Sequence, residues 1–471
     1  MKKLFFLFLL ITSTFAGYST HLMGGEIIVL NDSQNNYYVL LTLYRDTIGV
    51  PIDSTQDFTI TDSQGNTIST LTSTIDYSAN HPIFGSSQGS LMPMFPYGVE
   101  IYFYSVSINL PNPGEYTVSW EKCCRNFAIG NIPSPDSENM NLHTTFTNNL
   151  NSYDSSPYFL VKPVVYLPVS TPWQYNPLPI DPDGDSLHWF IGTPNNALGI
   201  PIAGYTDPPS DPSNVLSMDP VTGTISWTAS AIGNWVYTIV CEEYRSGVKI
   251  GEIRRDMQVI VVPSGSLPSF SNIGTVIPMV NGYPQWSIPA GQNSELRLLG
   301  SNPGTSNNLL FEAYGEPFLS ATPAVFSQVP TGSNNEIEAI LNWNPSANDV
   351  RDEPYLTVLR IMDGFFMNDE AIFIEVVSGV GIESVSNSSF SPLYPNPSNG
   401  TLHIPILIEG SGDVVLKIFN QYGQLVYDDT AYFNAGQSLA ILPTSLKSGQ
   451  YYVIVEKNGH RISAQDIIIV R

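Results

Sequence analysis

The chain has 471 residues, only 13% of them charged, and its 42 acidic residues outnumber 18 basic ones to leave a formal net charge of −24. So acidic a surface repels phosphate, which excludes nucleic acid and anionic lipid as electrostatic partners. Glycine and proline number 36 and 37 while helical periodicity never persists beyond two turns, which excludes a helical chain and predicts strands joined by turns.

In chain order, Met1-Lys2-Lys3 is a short cationic start, Leu4 to Ile11 is unbroken apolar sequence, and Thr14-Phe15-Ala16-Gly17 supplies small residues. This predicts a secretory signal peptide over 1–17, cleaved after Ala16 or Gly17. Removing Lys2 and Lys3 takes the net charge from −24 to −26. The run is too short for a membrane span and no later run reaches that length, so the expectation is an exported protein with no transmembrane segment.

The stretches "GGEIIVL", "NYYVLLTLYRD", "DFTITD", "NTISTL", "VEIYFYSVSINL" and "GEYTVSWEK" read as strands bounded by Asn, Asp, Gly and Pro, with Ser63 to Asn66 as a hairpin turn. They predict an immunoglobulin-like sandwich over 18–158. Two later patterns repeat its grammar. "YTVSWEK" from Tyr116 matches "YTIVCEE" from Tyr237, pairing Tyr116 with Tyr237 and Glu121 with Glu242. The strand ending at Trp227, with its polar turn and Tyr-led successor, is echoed around Trp343. The expected organisation is therefore all-β: tandem immunoglobulin-like β-sandwiches at 18–158, 159–263 and 264–380, a linker at 381–391, and a C-terminal β-sandwich at 392–471.

Cys123 and Cys124 are adjacent and Cys241 is alone, too few for a disulfide scaffold; Cys241 reads as a buried strand residue, or as a partner for one of the other two. The six histidines are scattered, none at zinc-ligand spacing from a cysteine. Gly85 to Gly89 fits G-x-S-x-G, but Pro93 and Pro96 block the helix that a nucleophile elbow needs. No pair of acids is assignable as glycosidase acid and nucleophile from sequence, and no phosphate loop is present.

"DPDGDS" offers the best candidate site. Asp181, Asp183 and Asp185 alternate along an extended segment, placing carboxylates on one side, and Gly184 permits a bend. Hard oxygen ligands suit calcium, which takes six to eight of them. An EF-hand is excluded because Gly192 stands where its twelfth-position Glu is needed. Asp207 and Asp211 are further ligand candidates. Aromatic residues beside proline, in Met92 to Gly98, Ser156 to Phe159, Thr171 to Tyr175 and Tyr283 to Trp286, suit either stacking on sugars and partner proteins or filling sandwich ends.

Two stretches resemble known families. "LPIDPDGDSLHWF" followed by "LSMDPVTGTISWTAS", with Asp219, Pro220, Thr222, Gly223 and Ile225 in the second, resembles the cadherin-like and immunoglobulin-like repeats of bacterial surface proteins. "LYPNPSNGTLHI" resembles the start of the C-terminal sorting domain of type IX secretion cargo in Bacteroidetes. Its matching residues are Tyr394, Pro395, Asn396, Pro397, Asn399 and Gly400. The strand from Asp413, Gly449 and Tyr451 in "LPTSLKSGQYYVIVEKNG", and a closing strand ending at Arg471 follow in the family's order. Asn458-Gly459 is a type I′ hairpin signal, and Pro395 and Pro397 mark where strand pairing begins. The resemblance implies export through the type IX machinery by way of residues 392–471, then attachment to the cell surface or release.

The combined expectation is a non-enzymatic, secreted or surface-held adhesin-like or structural protein that binds an unidentified protein or glycan, with calcium as its one candidate cofactor. The alternative is a secreted carbohydrate-binding accessory protein or hydrolase.

Overall fold

The computed structural model describes residues 22–33, 35–47, 51–79, 81, 99–149, 153–163, 166–263, 265–304, 309–333, 335–378, 393–399, 401–408, 410–443, 445–457 and 460–470. The signal peptide with Ala16 and Gly17, the G-x-S-x-G stretch, Met92 to Gly98, the 381–391 linker, Gly400, Asn458-Gly459 and Arg471 lie outside these. Strands dominate the described residues, and the one α-helix is the four-residue turn Ile273–Val276. The fold is thus all-β, as its turn-rich composition predicts.

The chain divides into two units, Met1–Val377 and Ser378–Arg471. Within the first, the strand Asn36–Asp46 pairs antiparallel with Leu22–Ser33 on one side and Val99–Asn109 on the other. Its side chains split by the period-two rule of an extended strand. Val39, Leu41 and Leu43 enter one core with Phe58, Val118, Trp120 and Phe146. Leu40 and Tyr44 enter another with Phe159, Trp173, Tyr175, Trp227 and Tyr237. Ile27 and Val29 join the first core and Ile28 the second. This sheet is the shared middle layer of the two.

One sheet runs across the expected boundary at 158/159, so the described residues on its two sides share a layer. The long strand Val248–Val262 pairs with Gly233–Arg245, and it also pairs with Leu22–Ser33 at Gly24 and Gly25 and with Met140–Asn148 at Thr144 and Thr145. All belong to one eleven-stranded sheet. Gly24 makes the crossing possible: its φ is +155°, and a Cβ there would lie 2.1 Å from the Asp256 carbonyl oxygen.

The two repeated Tyr-led hairpins exist, Gly114–Lys122 with Met140–Asn148 and Gly233–Arg245 with Val248–Val262, and both lie in that one sheet. Trp227 and Trp343 are both fully buried, each donating its indole N–H, to Ser210 Oγ at 2.9 Å and to the Thr322 carbonyl at 2.7 Å. Cys123 and Cys124 are bonded to each other, while Cys241 is a buried free thiol.

Residues 265–377 add a further sandwich. A four-stranded sheet containing Ser294–Ser301 and Glu336–Trp343 faces a five-stranded one containing Tyr283–Pro289, Tyr355–Met362 and Met367–Val377 across a core of Leu298, Leu341, Trp343, Leu359 and Ile374. It is fastened to the preceding layer by polar contacts. Trp173 Nε1 donates to the Met367 carbonyl at 3.1 Å, and the backbone N–H groups of Gln174 and Asn176 donate to the Asn368 and Asp369 side chains at 2.9 and 3.0 Å.

In the second unit, Thr401–Ile408 pairs with Gly436–Pro443. Gly412–Asn420, Leu425–Phe433, Gly449–Lys457 and His460–Ile469 form a four-stranded sheet. Leu402, Ile404, Ile406, Leu416, Ile418, Val453 and Ile467 fill the space between.

Candidate metal centre

The segment Asp181 to Asp185 is folded on its own carboxylate. Asp181 Oδ1 accepts the backbone N–H groups of Asp183 and Asp185, each at 2.8 Å, and Gly184 takes the positive φ of +81° that closes the turn. This leaves Asp183 and Asp185 projecting from one small loop. Asp183 Oδ2 accepts the Ser155 N–H at 2.6 Å, which draws in the neighbouring segment carrying Asp154.

Asp154 is fully buried. Its Oδ2 accepts the Thr147 N–H at 2.9 Å and its Oδ1 the Arg245 Nη2 at 3.1 Å. Arg245 also forks onto Asp185, with Nε 2.9 and 3.1 Å from the two carboxylate oxygens. The fourth member is Glu243 on the strand Gly233–Arg245. It is 0% exposed, and neither carboxylate oxygen has a hydrogen-bond partner. Opposite it stands Gly251, where a Cβ would come within 2.7 Å of Glu243 Oε2. The absence of a side chain there makes room for the buried acid.

Asp154, Asp183, Asp185 and Glu243 each present an oxygen within 4.8 Å of the others. Two ligands on opposite sides of a calcium ion, each at about 2.4 Å, stand about 4.8 Å apart, so these oxygens are spaced for one ion. Four carboxylates meet one guanidinium, an excess of three negative charges. Burial first, then the charges of Asp154 and Asp181, pushes the Glu243 carboxyl far above its ordinary 4.5. Burial likewise raises Asp154 from 3.8 to about 6, and raises Asp181. The site therefore calls for a proton or a cation, and an unpaired buried carboxylate among three aspartates fits a hard divalent ion.

Of the three aspartates expected from sequence, Asp183 and Asp185 enter this group. Asp181 organises the loop from beside it, its Oδ2 buried without a partner. Asp207 and Asp211 do not join: Asp207 is exposed, and Asp211 closes its own turn by accepting from Ser213 N and Oγ at 2.8 and 2.6 Å. Asp154 and Glu243 escaped the sequence reading. A signal for Glu243 existed: Tyr237, Ile239, Cys241 and Glu243 share one face of the strand, so the apolar alternation carries an acid straight into the core.

In the second unit, Tyr394 to Pro397 runs beside both sheets. Tyr394 exchanges backbone hydrogen bonds with His403 at 3.1 and 2.8 Å, and their rings stack at 5.0 Å. The Asn396 side chain accepts from Ile468 N at 2.9 Å and donates to the Asp466 carbonyl at 3.0 Å. Pro395, Pro397 and Asn399 are exposed. Gly449 opens its strand, and Tyr451 turns inward with its hydroxyl on the Lys447 carbonyl at 2.9 Å.

Comparison with known proteins agrees at this end of the chain. Residues 392–470 match the family described as Secretion system C-terminal sorting domain. This identifies the second unit as a sorting module and supports export by type IX secretion; no helix of the described residues is long and apolar enough to cross a membrane. No curated protein matches the chain. Among solved structures it is similar to the FN1–FN3 domains of chicken CNTN1, at 8% identity over 67% of this chain and 98% of that one, with a TM-score of 0.15. It is also similar to trypsin-activated alpha-2-macroglobulin from Escherichia coli, at 9% identity over 96% and 31% of the two chains, with a TM-score of 0.15. The BSP domain of a biofilm associated protein aligns at 8% identity over 96% of each chain, with a TM-score of 0.14. TM-scores of this size carry no argument; the sandwich architecture rests on the sheets themselves.

Proposed function

We propose that this protein is a non-enzymatic, adhesin-like binding protein of the cell surface or medium, carried through the periplasm and exported by its sorting domain, and that calcium braces its 22–377 unit. The observation that carries the cation reading is Glu243, fully buried, without a hydrogen-bond partner, and facing Asp154, Asp183 and Asp185. The ion would be held by these four carboxylates. It would join the segment after Met140–Asn148, the Asp181 to Asp185 loop and the strand Gly233–Arg245, three pieces of chain that otherwise repel one another. The resemblance of "DPDGDS" and "DPVTGTISW" to cadherin-like repeats supports the same reading, as does a strongly acidic chain that attracts cations.

The test is thermal unfolding of the mature chain in EDTA, in millimolar magnesium and in millimolar calcium. Binding to the folded state alone contributes about 2.7 kcal/mol at a hundredfold excess over Kd. Because the acidic loop belongs to a large unit with a continuous sheet, the expected rise is on the order of 5 °C. Magnesium prefers a tighter octahedral shell and should give less. Equal midpoints in all three media would sink the cation reading.

A further inference from the structure

A second feature lies away from the acidic cluster, where the 265–377 sandwich meets the layer before it. The short strands Trp173–Tyr175 and Ile225–Trp227 pair with Gln174 opposite Ser226. Trp173, Tyr175, Ile225 and Trp227 all point into the core. By alternation, the side chains of Gln174 and Ser226 stand together on the other face. That face is one wall of a cleft of about 460 Å³, inside the range of about 300–1,000 Å³ typical of small-molecule sites. The remaining walls bring Phe270, Tyr283, Asp219 and Glu370. Asn281 and Gly282, both at positive φ, form the tight turn that folds Met279–Val280 back onto Tyr283–Pro289 and sets Tyr283 at the rim.

The hydrogen-bonding capacity of these walls is unevenly used. Asp219 is committed: its Oδ1 accepts Val221 N, Thr222 N and Thr222 Oγ1, and its Oδ2 accepts the Tyr283 hydroxyl at 3.0 Å. The Gln174 side-chain carboxamide, the Ser226 hydroxyl and the Glu370 carboxylate have no hydrogen-bond partner among the described residues, the Gln174 backbone N–H being the one that Asn368 accepts. Burial raises the Glu370 carboxyl to about 6, so its desolvation is not offset from within the protein. Two aromatic rings, an amide, a hydroxyl and a carboxylate form a set that matches the alternating hydroxyl and C–H faces of a sugar ring. No Lys, Arg or His is among the lining residues, so an anionic ligand meets only repulsion.

We infer that this cleft binds a neutral saccharide, with Tyr283 and Phe270 supplying the apolar surface and Gln174, Ser226 and Glu370 the hydrogen bonds to its hydroxyls. The inference rests on the binding reading proposed above but not on the cation. It also makes use of Tyr283, whose ring beside proline stood among the sequence-level candidates for sugar stacking.

The experiment is isothermal titration of the mature chain with cellohexaose, xylohexaose, mannohexaose and maltohexaose, and with tetragalacturonate as the anionic control, in calcium and again in EDTA below the melting range. At least one neutral hexasaccharide should bind in both media, so failure of the cation reading would leave this result standing. Tyr283→Ala should weaken that binding about tenfold. Gln174→Ala, on the cleft face and outside the core, should weaken it severalfold with an unchanged melting midpoint. The inference is overturned if no neutral hexasaccharide binds, if tetragalacturonate binds best, or if Gln174→Ala and Tyr283→Ala both bind like the parent.

Discussion

Arg245 grips Asp185 with both carboxylate oxygens in reach of one nitrogen, at 2.9 and 3.1 Å, while its far nitrogen holds Asp154 at 3.1 Å. One guanidinium thus serves two acids and leaves Glu243 with none. Breaking a buried charge pair, or leaving one unmatched, is costly in a way that an exposed pair is not. The cluster is therefore the place where solution conditions should act most visibly on this protein.

The first consequence is a pH dependence. Burial raises Asp154 to about 6 and raises Glu243 well beyond its ordinary 4.5. A carboxyl whose folded pKa exceeds its unfolded value contributes stability fully below the unfolded value and loses it as pH rises through the folded one. In EDTA the melting midpoint of the 22–377 unit should fall between about pH 5 and pH 8, by on the order of 5 °C. Millimolar calcium should flatten that decline by supplying the missing positive charge. A midpoint in EDTA that rises across this window would contradict the placement of the two acids.

Glu243→Gln separates charge from shape. The amide fills the same volume beside Gly251 without the buried negative charge. In EDTA at pH 8 its midpoint should exceed that of the parent by a few degrees, because keeping Glu243 in that site, either charged and unpaired or protonated against the solution pH, costs on the order of several kcal/mol even after relaxation. Its response to calcium should shrink to the magnesium level. A variant that melts lower in EDTA and still responds to calcium would show that Glu243 is not a ligand.

Much of the fold was legible in the sequence, and the misses share a cause. Asp183 and Asp185 were visible because their spacing is local. Asp154 and Glu243 stand far apart in sequence and meet only through the pairing of strands. The shared sheet was missed in the same way. "EIIVL" and "YYVLLTLY" carry near-continuous apolar runs, the mark of a strand buried on both faces. Reading them as strands of a self-contained sandwich over 18–158 gave that sandwich its own sheet, whereas Val39 and Leu40 face different cores. The sorting module was legible because its motif is local in sequence, and residues 392–470 match the sorting-domain family.

Removal of residues 392–471 should leave the first unit folded. Among the described residues, the core of the sorting module is drawn from Leu393 to Ile469, and the cores of the first unit are drawn from residues before Ser378. The truncated protein should accumulate in the periplasm with an unchanged calcium response. Cell fractionation decides the matter: truncated protein on the surface at the parental level would dismiss the module as the export signal. Mass spectrometry of the mature surface or culture form should show a C-terminus lacking most of this module.

The last prediction concerns the joint that shapes the cleft. Arg360 is 1% exposed and forks onto Asp369, Nε to Oδ1 at 2.7 Å and Nη2 to Oδ2 at 2.9 Å. The same pair reaches the neighbouring layer, Arg360 Nη1 donating to the Lys162 carbonyl at 3.1 Å and Asp369 Oδ2 accepting the Asn176 backbone N–H at 3.0 Å. Asp369→Ala strands a buried guanidinium and frees the Asn176 N–H at once. The expected loss is about 3–5 kcal/mol, the usual cost of breaking a buried pair from one side. Replacing both partners, Arg360→Met with Asp369→Leu, should recover part of it, since no charge is then left unmatched. Glu370 follows Asp369 directly, so a joint loosened by Asp369→Ala should also weaken saccharide binding, whereas the double variant should restore it in part. Urea unfolding of the three proteins measures the stabilities. A single variant as stable as the parent would show that the sandwich at 265–377 is held by its apolar contacts alone.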